Sequence, residues 1–267
     1  SYTQVGYGLE GFKLSVTSDS DFEFNEIIAL SEAHGEQQPS IEFAIQSALY
    51  DLYSKINNTP LNKFLNKNSV ATVPVSYYSS SNVEPFDGLV VKIKITDMDL
   101  KKQKKTIDSI ISRYNGMVKL RLDFNGSYTL ERAIKFCKMI ENMPIDYIEQ
   151  PLAPHKDKDL RELSLETSIP IALDESIVDL DSLDRELENN VADVFVLKPM
   201  LIGGISKLSS MIDSIKDNSK RFNISSLLES NVGRLFYLHI SSAFEASDPC
   251  GIGTNIFFQN DLYNFPS

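Results

Sequence analysis

From Val70 onward the chain alternates short β-branched runs with amphipathic helical stretches, and this alternation constrains the fold more than any other feature. The runs fall at 70–77, 89–95, 118–123, 146–149, 169–173, 191–197 and 222–227. Segments of helical periodicity lie between them, at 100–114, 130–142, 160–166, 180–188, 205–215 and 234–246. Strand–helix alternation at this density implies right-handed βα units and a parallel sheet. Seven such strands and a short eighth at 251–254 predict a (β/α)7β barrel of TIM type within an α/β fold. A doubly wound open sheet is the alternative, although no Gly-x-Gly-x-x-Gly follows any of the runs.

The first third has a different texture. Residues 1–30 read as a strand and loops. Ser40 is a suitable N-cap for a long helix whose apolar stripe is Ile41, Ala44, Ile45, Ala48, Leu49 and Leu52. That stripe ends at the breaker cluster Asn57-Asn58-Thr59-Pro60. A boundary near 60–69 therefore divides a small α+β domain over 1–68 from the barrel over 69–255. A C-terminal segment, 256–267, is expected to pack back on the first domain.

A net charge of -11 repels phosphate backbones, so nucleic acid is not an expected partner. The basic run Lys101-Lys102-Gln103-Lys104-Lys105 reads as a solvated helix face. No apolar stretch reaches membrane-spanning length and no signal peptide is visible at Ser1, so no membrane partner and a cytoplasmic location are expected. Cys137 lies on an apolar helical stripe with Ala133, Ile134 and Ile140 and reads as a buried thiol.

Five charged residues stand at the ends of five successive runs: Lys94, Asp123, Glu149, Asp174 and Lys198, separated by 29, 26, 25 and 24 residues. One βα unit of a barrel takes about 25–30 residues, so the charges fall at the same level of consecutive units. They would converge on the C-terminal mouth, where barrel active sites lie. Alternation along the strands supports this. Val91, Ile93 and Ile95 share one face of their run, leaving Lys92 and Lys94 on the other, and Leu120, Leu122 and Phe124 lie opposite Asp123 and Asn125. Three converging carboxylates repel one another unless a cation or lysines neutralise them, and an oxygen-only ligand set suits Mg²⁺.

The motifs Lys92-Ile93-Lys94, Asp123-Phe124-Asn125-Gly126, Ile148-Glu149-Gln150-Pro151, Ala172-Leu173-Asp174-Glu175-Ser176 and Lys198-Pro199 followed by Gly203-Gly204 resemble the enolase superfamily. They are more narrowly similar to its muconate-lactonizing subgroup and, within that, to the o-succinylbenzoate synthase family. The resemblance covers about 70–254. It implies a barrel beneath an α+β capping domain, here apparently shortened, since the strands that open that domain are not found before Tyr2. It implies Mg²⁺, with Mn²⁺ as a substitute, on Asp123, Glu149 and Asp174. Lys94 would be the base, Lys198 would stand opposite it, and Lys92 would give electrostatic support. Asn125 would orient a ligand or Lys94.

The implied reaction is Mg²⁺-dependent dehydration of a small cyclohexadiene carboxylate to o-succinylbenzoate, a step of menaquinone synthesis. N-acylamino acid racemases and dipeptide epimerases resemble the same lysines and acids, but dipeptide epimerases commonly carry Asp-x-Asp at the last strand, where this chain has Gly251-Ile252-Gly253-Thr254 with Asp248 alone nearby. The branch with a His-Asp pair is disfavoured, because His34, His155 and His239 fall at no late strand end. A silent barrel would have lost a lysine or an acid, and none is lost.

Ser225-Ser226-Leu227-Leu228-Glu229-Ser230 resembles the family's seventh strand region, which makes Ser226 a candidate for substrate contact. Gly251 and Gly253 would either admit substrate or form a tight last strand. The amides at Gly203-Gly204 would receive a carboxylate or merely turn into a helix. Tyr7-Gly8-Leu9-Glu10-Gly11-Phe12 is expected, from the resemblance, to close over the mouth.

Overall fold

The computed structural model describes residues 24–35, 38–96 and 99–262, the side chains of His34 and Asn255 excepted. The expected mouth loop at 7–12 lies outside these residues.

Seven strands form one parallel sheet: β1 (Tyr77–Tyr78), β2 (Val90–Lys94), β3 (Lys119–Asp123), β4 (Ile145–Glu149), β5 (Ile171–Leu173), β6 (Val194–Leu197) and β7 (Arg221–Ile224). Their spatial order is their sequence order, without the reversal that an open doubly wound sheet requires. Parallel bridges Ser225–Gly251 and Val75–Cys250 then carry the hydrogen bonding from β7 back to the segment before β1. Donation from the Gly251 amide to Ile224 O (2.9 Å) and from the Cys250 amide to Pro74 O (2.8 Å) closes the ring. The eighth strand is therefore only this pair of bridges, shorter than 251–254, and Thr254–Phe257 turns instead into a 3₁₀ helix. The first strand is also shorter than 70–77. Pro74 within that run has no amide to give to a ladder.

Helices alternate with the strands: α4 (Leu100–Arg113), α5 (Leu130–Ile140), α6 (Asp157–Glu166), α7 (Leu180–Asn189), the short α8 (Pro199–Ile202), α9 (Ile205–Asp217) and α10 (Asn231–Ala243). Local chemistry sets their starts. The Asp99 carboxylate accepts from the Lys101 and Lys102 amides, and Asp179 and Ser182 form a capping box at α7. The basic run lies on α4, where Lys104 pairs with Asp108 on an exposed face.

Two apolar layers result. The larger joins outward strand residues such as Val91, Ile93, Leu120, Leu122, Ile148 and Leu197 to the helices. Tyr147, Ala172, Val194 and Val196 make a small separate core inside the barrel. Cys137 is buried in the outer layer as a free thiol, and burial pushes its pKa up to about 11.

Among the described residues three helices precede the barrel: α1 (Phe24–Gly35), α2 (Pro39–Ile56) and α3 (Leu61–Leu65). The strand-and-loop reading of 1–30 is corrected where it overlaps α1. Phe24 packs against Tyr50 (5.0 Å) and Tyr53 (4.3 Å) of α2, so tertiary contacts help to hold this helix. Ser40 is not the cap of α2: Pro39 occupies its first turn and Gln38 caps without a side-chain bond. Within 60–69, Asn62 donates to Ser242 Oγ and Asn66 to Ala243 O on α10, which ties this stretch to the barrel. Residues 256–262 also contact the barrel. The Asp261 carboxylate accepts the Asn231 amide at the start of α10, and Phe257 packs on Tyr78.

Candidate active site

Lys94, Asp123 and Glu149 lie on one rung, since Lys94 pairs in register with Asp123 and Asp123 with Glu149. Glu149 is level with Ala172, so Asp174, two residues further, keeps the inward face just beyond β5. Ala172 is level with Val194, and Lys198 falls on the inward parity of β6 at its end. All five residues thus reach the C-terminal mouth, as their spacing predicted.

Side-chain contacts divide them into two groups. Lys92 Nζ bridges Asp123 Oδ2 and Glu149 Oε1, each at 2.8 Å. Lys198 Nζ contacts Asp174 Oδ2 at 2.6 Å. The acids are buried: Asp123 is 7%, Glu149 1% and Asp174 4% exposed. Burial raises the Glu149 carboxyl most, Lys92 opposes that, and Asp123 and Asp174 add to it, leaving it at about 7. Lys92 is held well above its ordinary value because the attraction of Glu149 and Asp123 outweighs the burial that would lower it. Lys94 is exposed at the end of β2 and makes no ion pair with a described residue.

This donor set fits a hard divalent cation. It is oxygen-only, comes from three successive strands, and is short of positive charge at Glu149. Among the described residues no three metal-binding side chains already form a ligand cluster. A cation would have to replace Lys92 and Lys198 as the partner of these oxygens.

Other candidate residues have different partners. Asn125 Nδ2 donates to Glu175 Oε1 (2.9 Å) rather than orienting Lys94. Gln150 ties the loops together, its Oε1 accepting from the Asp174 and Ser176 amides. Ser226 bonds Glu229 and Thr254, and Glu229 also accepts from the Leu227 amide and the Tyr237 hydroxyl, so Ser226 is held within a rim network. A Cβ on Gly251 would come within 2.7 Å of Ser225 Oγ, and one on Gly253 within 2.9 Å of Ser76 O. These glycines make the tight barrel closure. Gly203, at φ +105, and Gly204 lie under α2, their Cβ space taken by Glu42 and Gln46. Gln46 Oε1 accepts the Ile205 amide (2.7 Å), so this helix start is served by the chain's own side chains. A cleft of about 750 Å³ lined by Asp99, Ser127, Thr129, Arg132 and Lys135 includes none of the five mouth charges.

Sequence reading missed two features. Tyr78 pairs in register with Lys92 and so faces inward. Below the mouth, Arg121 is 1% exposed and pairs with Asp146 (2.8 Å), while Arg221 binds both Asp146 and Asp248 at 2.9 Å. Asp248, without a second acid of an Asp-x-Asp beside it, is thus paired with an arginine. A register shift between β3 and β4 lets Asp146 reach this cluster, and a bulge of that kind leaves no periodic signal. The inward alternation of β3 did point to Arg121.

Residues 89–261 match the family described as enolase C-terminal domain-like, which is well over half of the chain. The chain belongs to this family. Its relatives include an o-succinylbenzoate synthase of Desulfotalea psychrophila, 25% identical over 84% of this chain and 64% of that protein. An L-Ala-D/L-Glu epimerase of Francisella tularensis subsp. novicida is 23% identical over 79% of this chain and 68% of that protein. The chain thus spans less than two thirds of the length of the first. A crystal structure of a dipeptide epimerase from Cytophaga hutchinsonii, complexed with Mg and the dipeptide D-Ala-L-Val, superimposes with a TM-score of 0.82. It is 22% identical, and the match covers 97% of this chain and 72% of that one. The enolase-superfamily fold and the TIM-type architecture follow. Among the described residues no helix is long and apolar enough to cross a membrane.

Proposed function

We propose that this chain removes a proton α to a carboxylate, and that its reaction is dehydration of 2-succinyl-6-hydroxy-2,4-cyclohexadiene-1-carboxylate to o-succinylbenzoate. The observation that carries the general reading is the meeting of Lys92, Asp123, Glu149, Asp174 and Lys198 at one barrel end, with Lys94 on the same rung as Asp123 and Glu149. Asp123, Glu149 and Asp174 would hold Mg²⁺, or Mn²⁺ in its place, as the Mg-bound epimerase of the same fold encourages. When bound, the ion would stabilise negative charge developing on the substrate carboxylate. The first domain, residues 1–68, would act as the cap.

The remaining work falls to side chains. Lys94 has no ion pair to a described residue, so its amine can accept the α proton and then return it to the departing hydroxide as water. Lys198 stands on the far side of the acids and would steady the enediolate. Lys92, which pairs with Asp123 and Glu149 in this structure, would give up those oxygens to the ion and add positive charge where the enediolate forms. What supports the synthase over an epimerase is the last strand. Gly251 and Gly253 offer no acid for a substrate amine, and Asp248 is committed to Arg221. Epimerase or acylamino acid racemase activity, with Lys94 and Lys198 as two bases, is the second reading, favoured by the epimerase relative.

The test is conversion of the cyclohexadiene to o-succinylbenzoate followed by ultraviolet absorbance, with and without Mg²⁺. Mg²⁺-dependent turnover that drops about 10²–10⁴-fold in Lys94→Ala, with unchanged melting, is expected. Racemisation of dipeptides or N-acylamino acids without dehydration would transfer the assignment to the second reading.

A further inference from the structure

Tyr78 contributes to the mouth from a strand with no charged motif. Its pairing with Lys92 turns it inward, while the neighbouring Tyr77 turns outward against Phe86. The phenol feels Lys92 and Lys198, on opposite sides of the mouth, and also Glu149 and Asp123. The ring is fixed by Phe257, edge-on at 4.9 Å and 76°. Among the buried tyrosines, Tyr147 accepts from Asn223 and Tyr237 donates to Glu229, whereas the Tyr114 hydroxyl has no partner among the described residues. The Tyr78 hydroxyl makes no hydrogen bond with a described residue.

We propose that Tyr78 is a substrate-binding residue whose O–H donates to the carboxylate oxygen of the substrate. The inference rests on the proton-abstraction reading above and deepens it. A phenol is neutral at physiological pH, and burial favours that form further, so the group offers a proton without adding charge. Asp123, Glu149 and Asp174 are engaged by lysines in this structure and would be engaged by the ion once it binds, which makes an incoming carboxylate the natural acceptor for a rigid, unused donor. Such a donor fixes which face of the α carbon is turned to Lys94.

The experiment compares wild type with Tyr78→Phe, which keeps the ring and its packing on Phe257. The readouts are calorimetric affinity for o-succinylbenzoate in Mg²⁺ buffer, KM and kcat for the cyclohexadiene, and melting temperature. Expected are about tenfold weaker binding and a similarly raised KM, the loss typical of one hydrogen bond to a charged oxygen, with melting unchanged. Tyr78→Gln, which restores an N–H donor, should recover part of the affinity. Unchanged affinity and KM in Tyr78→Phe, whatever its melting temperature, overturn the role of Tyr78 and leave the synthase reading intact. Should wild type act on L-Ala-L-Glu instead, the synthase reading fails and Tyr78 is judged by KM for that dipeptide, an unchanged value overturning it. Wild type that binds neither carboxylate overturns both.

Discussion

At the floor of the barrel Arg121 and Arg221 face Asp146 and Asp248, two cations against two anions. Two residues further along β3 and three along β4, Asp123 and Glu149 share a single lysine, Lys92, with Asp174 nearby on Lys198. The floor is balanced and multidentate, and the Arg121 guanidinium also lies 4.6 Å over the Tyr147 ring. Its arginines hold Asp146 below the usual carboxylate range even though burial opposes them. At the mouth burial wins, and Glu149 is left at about 7. The same cylinder thus buries charge once to satisfy it and once to leave it wanting a cation. Arginine suits the first task because its planar fork serves several acceptors. Lysine suits the second because it is a single point charge that an arriving ion can replace.

Breaking the floor should have the largest effect on the fold. Arg121→Met leaves Asp146 and Asp248 with one partner between them, and removing one member of a buried ionic cluster costs about 3–5 kcal/mol. Denaturant unfolding would measure this, and a loss below about 1 kcal/mol would show that the floor carries no special stability.

Filling the mouth should act the other way. Mg²⁺ at about a hundredfold over its Kd should raise unfolding stability by about 2.7 kcal/mol in wild type and leave Glu149→Gln nearly unmoved. Thermal shift against a chelator control reads this directly. Equal shifts in the two proteins would remove Glu149 from the proposed ligand set.

The smallest effect is a difference in pH slope, measured in chelator. Asp146 has a lowered folded pKa, so its contribution is complete above the ordinary carboxylate range and fades as pH falls below it. Asp146→Asn should blunt that acid loss. Glu149 has a raised folded pKa, so its contribution is present below about pH 4.5 and fades as pH rises through about 7. Glu149→Gln should flatten that decline. Slopes of the same sign at both ends would contradict the contrast between floor and mouth.

The sequence by itself determined the parallel βα succession, the convergence of Lys94, Asp123, Glu149, Asp174 and Lys198, and the family. The first two follow from period-2 and period-3.6 patterning and from one spacing repeated along the chain, and the family from the resemblance of the motifs around those charges, all of which are local or additive along it. Only the tertiary structure decided the rest. The helix at Phe24–Gly35 exists because α2 offers aromatic rings to Phe24. Gly203 and Gly204 belong to the contact with Glu42 and Gln46 rather than to a substrate. Tyr78 joins the mouth, and Asp248 joins Arg221, across separations of 120 and 27 residues from Lys198 and Arg221 that no periodicity records. A side chain's direction along a strand is written in its parity. Its partner across a closed barrel depends on shear, on one register shift and on where the ring closes, and these emerge only when all the strands are in place.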